Sequence, residues 1–263
     1  MVLVIDVTSD FACPWCYVGF KRLENAVSKS SEQVDIRWHP YMIDPATQKS
    51  GEPYLAYNRR RWGGDGWVAG MKRDALRDGC TFENWGGQNP DSVWAHTLHA
   101  HRLMLFVKDR IKVVNGREGQ GDLQVGTTNL EHLLKKKLFE EYYEKGRNIS
   151  LTSELTRIGQ EFLAEQHGCL HERGIKLAEA SSAASEGAAG LSLEDLQEKL
   201  AKFMASTDER DGYAEVLSQD KRAKTRGVSG VPFFEIRGVR HKPFSGAQPT
   251  EFWEDVLAQL AEK

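Results

Sequence analysis

The feature that most constrains this chain is Cys13-Pro14-Trp15-Cys16, set where a stretch fit for a strand gives way to one fit for a helix. Upstream, Val2-Leu3-Val4-Ile5-Asp6-Val7 is short, apolar and β-branched, the composition of a buried strand. Thr8-Ser9-Asp10 supplies turn and cap chemistry. From Pro14 to about Ser28 the spacing predicts a helix, with Val18, Leu23 and Val27 among its apolar positions. Val34 to Tyr41 alternates through Val34, Ile36 and Trp38 and reads as a second strand. Strand, helix, strand in that order predicts a parallel βαβ unit, with both cysteines at the start of its helix.

From about Tyr54 to Ser218 the periodicity is helical, with almost no strand pattern. Leu130, Leu133, Leu134, Leu138 and Tyr142 fall on one helical face. Leu155, Ile158 and Phe162 mark another helix, with Gly168 as its expected stop. Ser192 and Asp195 resemble a capping box ahead of Leu193, Leu196, Leu200 and Phe203, and a further helix is expected from near Asp208 through Tyr213 and Val216. Val113 to Gly126 reads as a long polar loop, and Glu179 to Gly190 as a frayed helix or loop. Strand character returns in Val231-Pro232-Phe233-Phe234-Glu235-Ile236, with Val239 to His241 as the expected partner in a hairpin. Pro249 then opens a last helix carrying Phe252, Val256, Leu257 and Leu260. The chain is therefore expected to be α/β: residues 1–53 and 219–263 form one βαβ…ββα sheet domain, and residues 54–218 an all-helical insertion domain.

A helix N-terminus presents unpaired N–H groups and a partial positive charge, and both favour a thiolate at Cys13. The spacing puts the second sulfur one turn away, within bonding reach of the first. This is the chemistry of thiol–disulfide exchange: Cys13 attacks a substrate disulfide, and the deeper Cys16 resolves the mixed disulfide. Pro14 and Trp15 between them are apolar and bulky and are expected to press against substrate. A zinc site would need two more ligands, and Cys80 and Cys169 are isolated, so no metal is expected. Val231-Pro232 stands where this topology would bring it beside the cysteines. A proline entering a strand points to a sheet edge or a cis bond.

Composition narrows the partners. The net charge is −3 and Arg59-Arg60-Arg61 is the main basic run, so neither nucleic acid nor acidic lipid is an expected partner. No apolar stretch approaches the roughly 20 residues that span a bilayer. The first residues read as a strand rather than a leader, so the expected location is cytoplasmic. Four cysteines in 263 residues do not make a secreted disulfide framework. Monomer and homodimer both remain open.

Four stretches in order carry a family pattern: Cys13-Pro14-Trp15-Cys16-Tyr17-Val18-Gly19, Thr97-Leu98-His99-Ala100-His101-Arg102-Leu103, Gly227-Val228-Ser229-Gly230-Val231-Pro232-Phe233-Phe234, and Ser245-Gly246-Ala247-Gln248-Pro249. Together they resemble the DsbA-like thioredoxin superfamily and, within it, the FrnE-like branch. The resemblance implies a thioredoxin-like domain interrupted by a helical one, and a cis Val231–Pro232 peptide packed against the cysteines. It also implies backbone hydrogen bonds from Val231 to an extended substrate. The substrate would be a disulfide-containing peptide, protein or small molecule, with no bound cofactor and with glutathione as an alternative reductant or ligand.

The same superfamily includes kappa-class glutathione transferases and hydroxychromene-carboxylate isomerases. These normally carry serine for the first cysteine and a Ser-Asp or Asp-Arg pair where this chain has Gly246-Ala247-Gln248-Pro249. A glutathione-dependent isomerase or transferase is therefore the alternative function, and a non-catalytic binding module a third. His96 replaces the asparagine frequent in the family. Asp10 is expected to be a cap or turn residue rather than a proton acceptor, and Asp6 likewise structural. His96, His99 and His101, grouped on one predicted helix, are expected to serve packing and surface roles. Cys80 and Cys169 are expected to be buried small apolar residues.

Overall fold

The computed structural model describes residues 2–115, 129–180, 190–237 and 241–261. Strand β1 (Leu3–Ser9) leads into helix α1 (Pro14–Lys29) and then β2 (Val34–Pro40). The two strands pair in parallel from Leu3 opposite Val34 to Ser9 opposite Pro40. The expected βαβ unit is thus present, with its strand ends within two residues of expectation.

Next come β3 (Glu52–Pro53), α2 (Tyr54–Trp62), α3 (Val68–Ala75), β4 (Val93–Trp94), α4 (Leu98–Arg110) and β5 (Ile111–Asn115). Then follow α5 (Leu130–Phe139), α6 (Thr152–Glu172), β6 (Ile175–Glu179), α7 (Leu193–Ala205) and α8 (Ala214–Thr225), and the described chain closes with β7 (Phe233–Ile236), β8 (Phe244–Ser245) and α9 (Thr250–Ala261). The main sheet has the order β2-β1-β7-β8, with β7 antiparallel to both β1 and β8. The late strands therefore return beside the first one, and α9 packs on α1. Ile5, Val7, Val18, Leu23, Phe234 and Trp253 meet between sheet and helices and are almost wholly buried. Fully burying such side chains is worth about 1.5–3 kcal/mol each.

The helical block also packs as expected in part. Leu130, Leu134, Leu138 and Tyr142 form a buried stripe, with Leu133 at its margin. Ser192 caps α7, its Oγ accepting the Asp195 N–H at 3.1 Å.

Several expectations need correction. The block is not all-helical: β3 pairs with β4, and β5 pairs with β6 over five residues. Ile111-Lys112-Val113-Val114 and Ile175-Lys176-Leu177-Ala178 are short alternating runs, and only their mutual pairing makes them a ribbon. Val113 to Asn115 are thus strand, while residues 116–126 lie outside the described residues. Glu179 ends β6, and residues 181–189 likewise lie outside. Gly168 does not stop α6. A Cβ there would meet nothing, the interior glycine costs only about 1 kcal/mol, and the chain turns instead after Glu172, with Gly174 at φ +71°. The partner of β7 is Phe244–Ser245, not Val239 to His241; residues 238–240 lie outside the description, and His241 is in no strand. The helix expected from Asp208 starts with a kink at Asp211 and Gly212, the latter at φ +86°, and runs regularly only from Ala214.

Candidate active site

Helix α1 begins at the motif. Cys13 occupies the N-cap with extended backbone (φ −91°, ψ 108°), and Pro14 takes the first helical turn, where its missing N–H costs nothing. The Cys16 N–H donates to the Cys13 carbonyl at 2.9 Å. Both thiols are free, Cys13 7% exposed and Cys16 1% exposed. Burial, reinforced by the neighbouring Cys13 sulfur, pushes the Cys16 thiol well above its ordinary value. The outer sulfur is thus the accessible one and the inner one is shielded.

The segment before β7 completes the site. The Cys13 thiol donates to the Val231 carbonyl at 3.5 Å, and the Val231–Pro232 peptide is cis. Pro232 lies outside the strand, which begins at Phe233, and β7 is an inner strand of the sheet. Gly19, one turn beyond Cys16, makes this approach possible: a Cβ on it would stand 3.0 Å from Pro232 Cγ and 3.5 Å from Ala247. The structure therefore brings Cys13, Cys16, Val231 and Pro232 together across 218 residues of sequence. Trp15 is partly exposed beside them, whereas Pro14 is buried in the helix start and offers substrate little surface.

Beneath the thiols lies a set of charged and polar groups. Asp10 is 1% exposed, its carboxylate accepting the Ile43 N–H at 2.8 Å and the Ala12 N–H at 3.3 Å. Burial works against that charge, but hydrogen bonding from His101 and Ile43 outweighs it and holds the carboxyl below its ordinary range. Asp10 does serve the turn, as expected, and it is also a buried anion. His101 stacks near Phe11 with ring centres 5.0 Å apart. Its Nε2 faces the Tyr41 carbonyl at 3.1 Å and Asp10 Oδ1 at 3.6 Å. Burial lowers the His101 pKa, so the ring is neutral at neutral pH, and an Nε2–H donor is the tautomer that suits a carbonyl partner. His101 is thus a buried packing partner of Phe11 that also faces Asp10. His96 precedes α4 instead of sharing it.

The residue that sequence reasoning missed is Lys135. It is 1% exposed, with its ammonium 3.7 Å from the centre of the Phe11 ring, 4.9 Å from Phe139 and 5.4 Å from Trp38. Burial brings the amine down to about 8, a fall limited by the charges of Cys16, Asp10 and Cys13. Burying an ammonium costs several kcal/mol, and the aromatic faces return about 2 kcal/mol. One signal in the sequence points to it: Lys135 lies in the apolar stripe with Leu134, Leu138 and Phe139 at helical spacing.

Other candidates lie elsewhere. Asp6 pairs with His39 at 2.7 Å and with Arg237 at 3.0 Å, lining a cavity of about 640 Å³ against α8 that none of the cysteine-site residues line. Cys80 is buried as expected, but Cys169 is exposed on α6. No group of three metal-ligating side chains occurs among the described residues, and none of their helices is long and apolar enough to cross a membrane.

The fold has counterparts among known proteins. Residues 4–114 match the model of the DSBA-like thioredoxin domain. Among solved structures, a "probable DsbA oxidoreductase" from Streptomyces coelicolor is 21% identical, with TM-score 0.62 over 99% of this chain and 91% of that one. A 2-hydroxychromene-2-carboxylate isomerase is 13% identical, with TM-score 0.54 over 98% and 96%. The cytosolic disulfide reductase DsbM from Pseudomonas aeruginosa, solved with GSH, is 15% identical, with TM-score 0.50 over 99% and 100%. No curated protein matches the chain. The resemblance read from the four motifs holds at the level of the fold: a DSBA-like thioredoxin domain with an extra helical region.

Proposed function

From a chain whose residues 4–114 match the DSBA-like thioredoxin domain, we propose a thiol–disulfide oxidoreductase of the FrnE-like branch, acting on disulfide-containing peptides, proteins or small molecules. The observation that carries this reading is the pair of free sulfurs in the first turn of α1, the outer one 3.5 Å from the Val231 carbonyl. The Cys13 thiolate attacks one sulfur of the substrate disulfide. A Cys13–substrate disulfide forms, the substrate S–S bond breaks, and the other half leaves as a thiolate. Cys16 then gives up its proton and attacks the Cys13 sulfur, closing the Cys13–Cys16 disulfide and releasing the second substrate thiolate. Two thiols from a reductant such as glutathione reopen the pair. Val231 offers its backbone to an extended substrate, and Trp15 and Pro232 frame the sulfur. Four cysteines in 263 residues do not make a secreted disulfide framework, and on that ground we place the protein in the cytoplasm.

The test is insulin reduction by the full chain. Cys13→Ser should abolish turnover, and Cys16→Ser should accumulate a Cys13 mixed disulfide visible by mass spectrometry. Activity that survives Cys13→Ser would refute the assignment. Glutathione-dependent isomerisation that persists after Cys16→Ser would establish the isomerase or transferase reading in its place.

A further inference from the structure

Lys135 reaches the site from α5, in the helical block, and not from the strand–helix unit that carries the cysteines. Its neighbours Lys136 and Lys137 turn outward to Glu24 and Glu165, at 3.0 Å and 2.7 Å. Lys135 alone turns inward onto Phe11, the residue two before Cys13. Among the described residues no carboxylate lies within ion-pair distance of it. A lysine kept in this position forgoes both water and an acid partner, so its charge calls for another use.

The inner thiol supplies one. Cys16 must become a thiolate to resolve a mixed disulfide, yet it is 1% exposed, and the same surroundings of Lys135 also hold the buried Asp10 carboxylate. Without a nearby cation, a second negative charge there is strongly disfavoured. We propose that Lys135 is a positioning residue for Cys16: its ammonium is the internal countercharge that makes the Cys16 thiolate attainable when that thiol turns on the mixed disulfide at Cys13. The proposal rests on the exchange reading above and adds one residue to it.

The groups facing this centre are few. The β1–α1 segment brings Asp10, Cys13 and Cys16, and α4 brings His101, neutral at neutral pH. Lys135's own helix brings Glu131, which faces Lys108 at 3.8 Å. The turn after α5 brings the Tyr143 hydroxyl, which donates to the Phe11 carbonyl at 2.9 Å and is uncharged. Lys135 is the one cation in this set. In the step itself the Cys16 proton passes to solvent, the Cys16–Cys13 S–S bond forms, the Cys13–substrate S–S bond breaks, and the departing thiolate takes a proton from solvent.

The experiment uses dithiobisnitrobenzoate with the full chain carrying Cys169→Ser, which removes the exposed fourth thiol. Attack by Cys13 releases one coloured thiolate, and resolution by Cys16 releases a second in a separate phase. Lys135→Met, which fills the same space without charge, should slow the second phase about tenfold and move its pH midpoint up by about one unit, while the first phase changes less. Lys135→Arg should restore most of the rate, which a merely structural role would not do. A Lys135→Met protein with unchanged second-phase rate and midpoint overturns the proposal. Absence of any second phase in the Lys135-containing protein overturns the exchange reading itself, and the two failures are distinguishable.

Discussion

Glu24 tests how the helical block is fastened to α1. On α1 its carboxylate meets Lys136 at 3.0 Å, His132 at 3.6 Å and Lys21 at 3.8 Å, the first two from α5. Burial opposes the charge, but hydrogen bonds from His132 and Lys136, with the Lys136 and Lys21 charges, bring the carboxyl down from 4.5 to about 2. At about 1.4 kcal/mol per unit this sets a ceiling near 3.5 kcal/mol, and solvent screening of a side chain still 24% exposed reduces it to about 1–2 kcal/mol. A folded-state value below the unfolded one means that the contribution is fully present above about pH 4.5 and is lost as the pH falls towards about 2. Glu24→Gln keeps the shape and removes the charge. Urea unfolding followed by tryptophan fluorescence should therefore show the variant about 1–2 kcal/mol less stable at neutral pH, with the gap closing below about pH 4.5. A gap near zero at neutral pH, or one that persists unchanged in acid, would refute this account of the interface.

Three further outcomes follow from the packing. Gly19→Val drives methyl groups into Pro232 Cγ, 3.0 Å from the position of even a Cβ, and should cost about 1–3 kcal/mol and slow insulin reduction more than it lowers the melting temperature would explain. Arg102 is buried, donates to the Asp211, Phe203 and Ser206 carbonyls at 2.9–3.2 Å and stacks 3.7 Å from the Tyr213 ring centre. Arg102→Ala should destabilise by about 2–5 kcal/mol in denaturant unfolding, and Arg102→Lys should fail to restore it, because an ammonium cannot replace the planar fork. Burial, with the Arg102 charge, holds His99 down at about 4, so its neutral Nδ1 accepts from Arg102 at 3.1 Å. That contribution is present above about pH 6.5 and lost as the pH falls towards 4, so His99→Gln should flatten the fall of melting temperature with acid across that window.

What could be read in advance depended on the range of the interaction. The β1–α1–β2 unit rests on short-range signals, and Cys13 and Cys16 lie within four consecutive residues at one helix start, so both were legible. Val231 and Pro232 were legible through motif and topology together. Asp10 read as a turn residue because its Ala12 contact is local, whereas its Ile43 and His101 partners lie 33 and 91 residues away. Lys135 heads three consecutive lysines, and although its spacing matches the apolar stripe of α5, its aromatic partner Phe11 lies 124 residues away and comes only from tertiary packing. The β5–β6 ribbon joins residues 60 to 68 positions apart, in runs each too short to declare itself alone.

The aromatic stack between α1 and the block has a practical consequence. Tyr17 lies flat on Tyr143 at 5.3 Å, and Phe20 on His132 at 4.7 Å, while Phe11 meets Phe139 at 5.3 Å. A shortened protein that spliced residue 53 to residue 219 would keep every strand of the main sheet and both thiols of the Cys13–Cys16 motif. It would also strip the covering from Phe11, Tyr17 and Phe20, leaving a sticky apolar scar beside Cys13. The smallest working version of this molecule therefore includes its helical half, and attempts to miniaturise it should trim loops rather than remove the block.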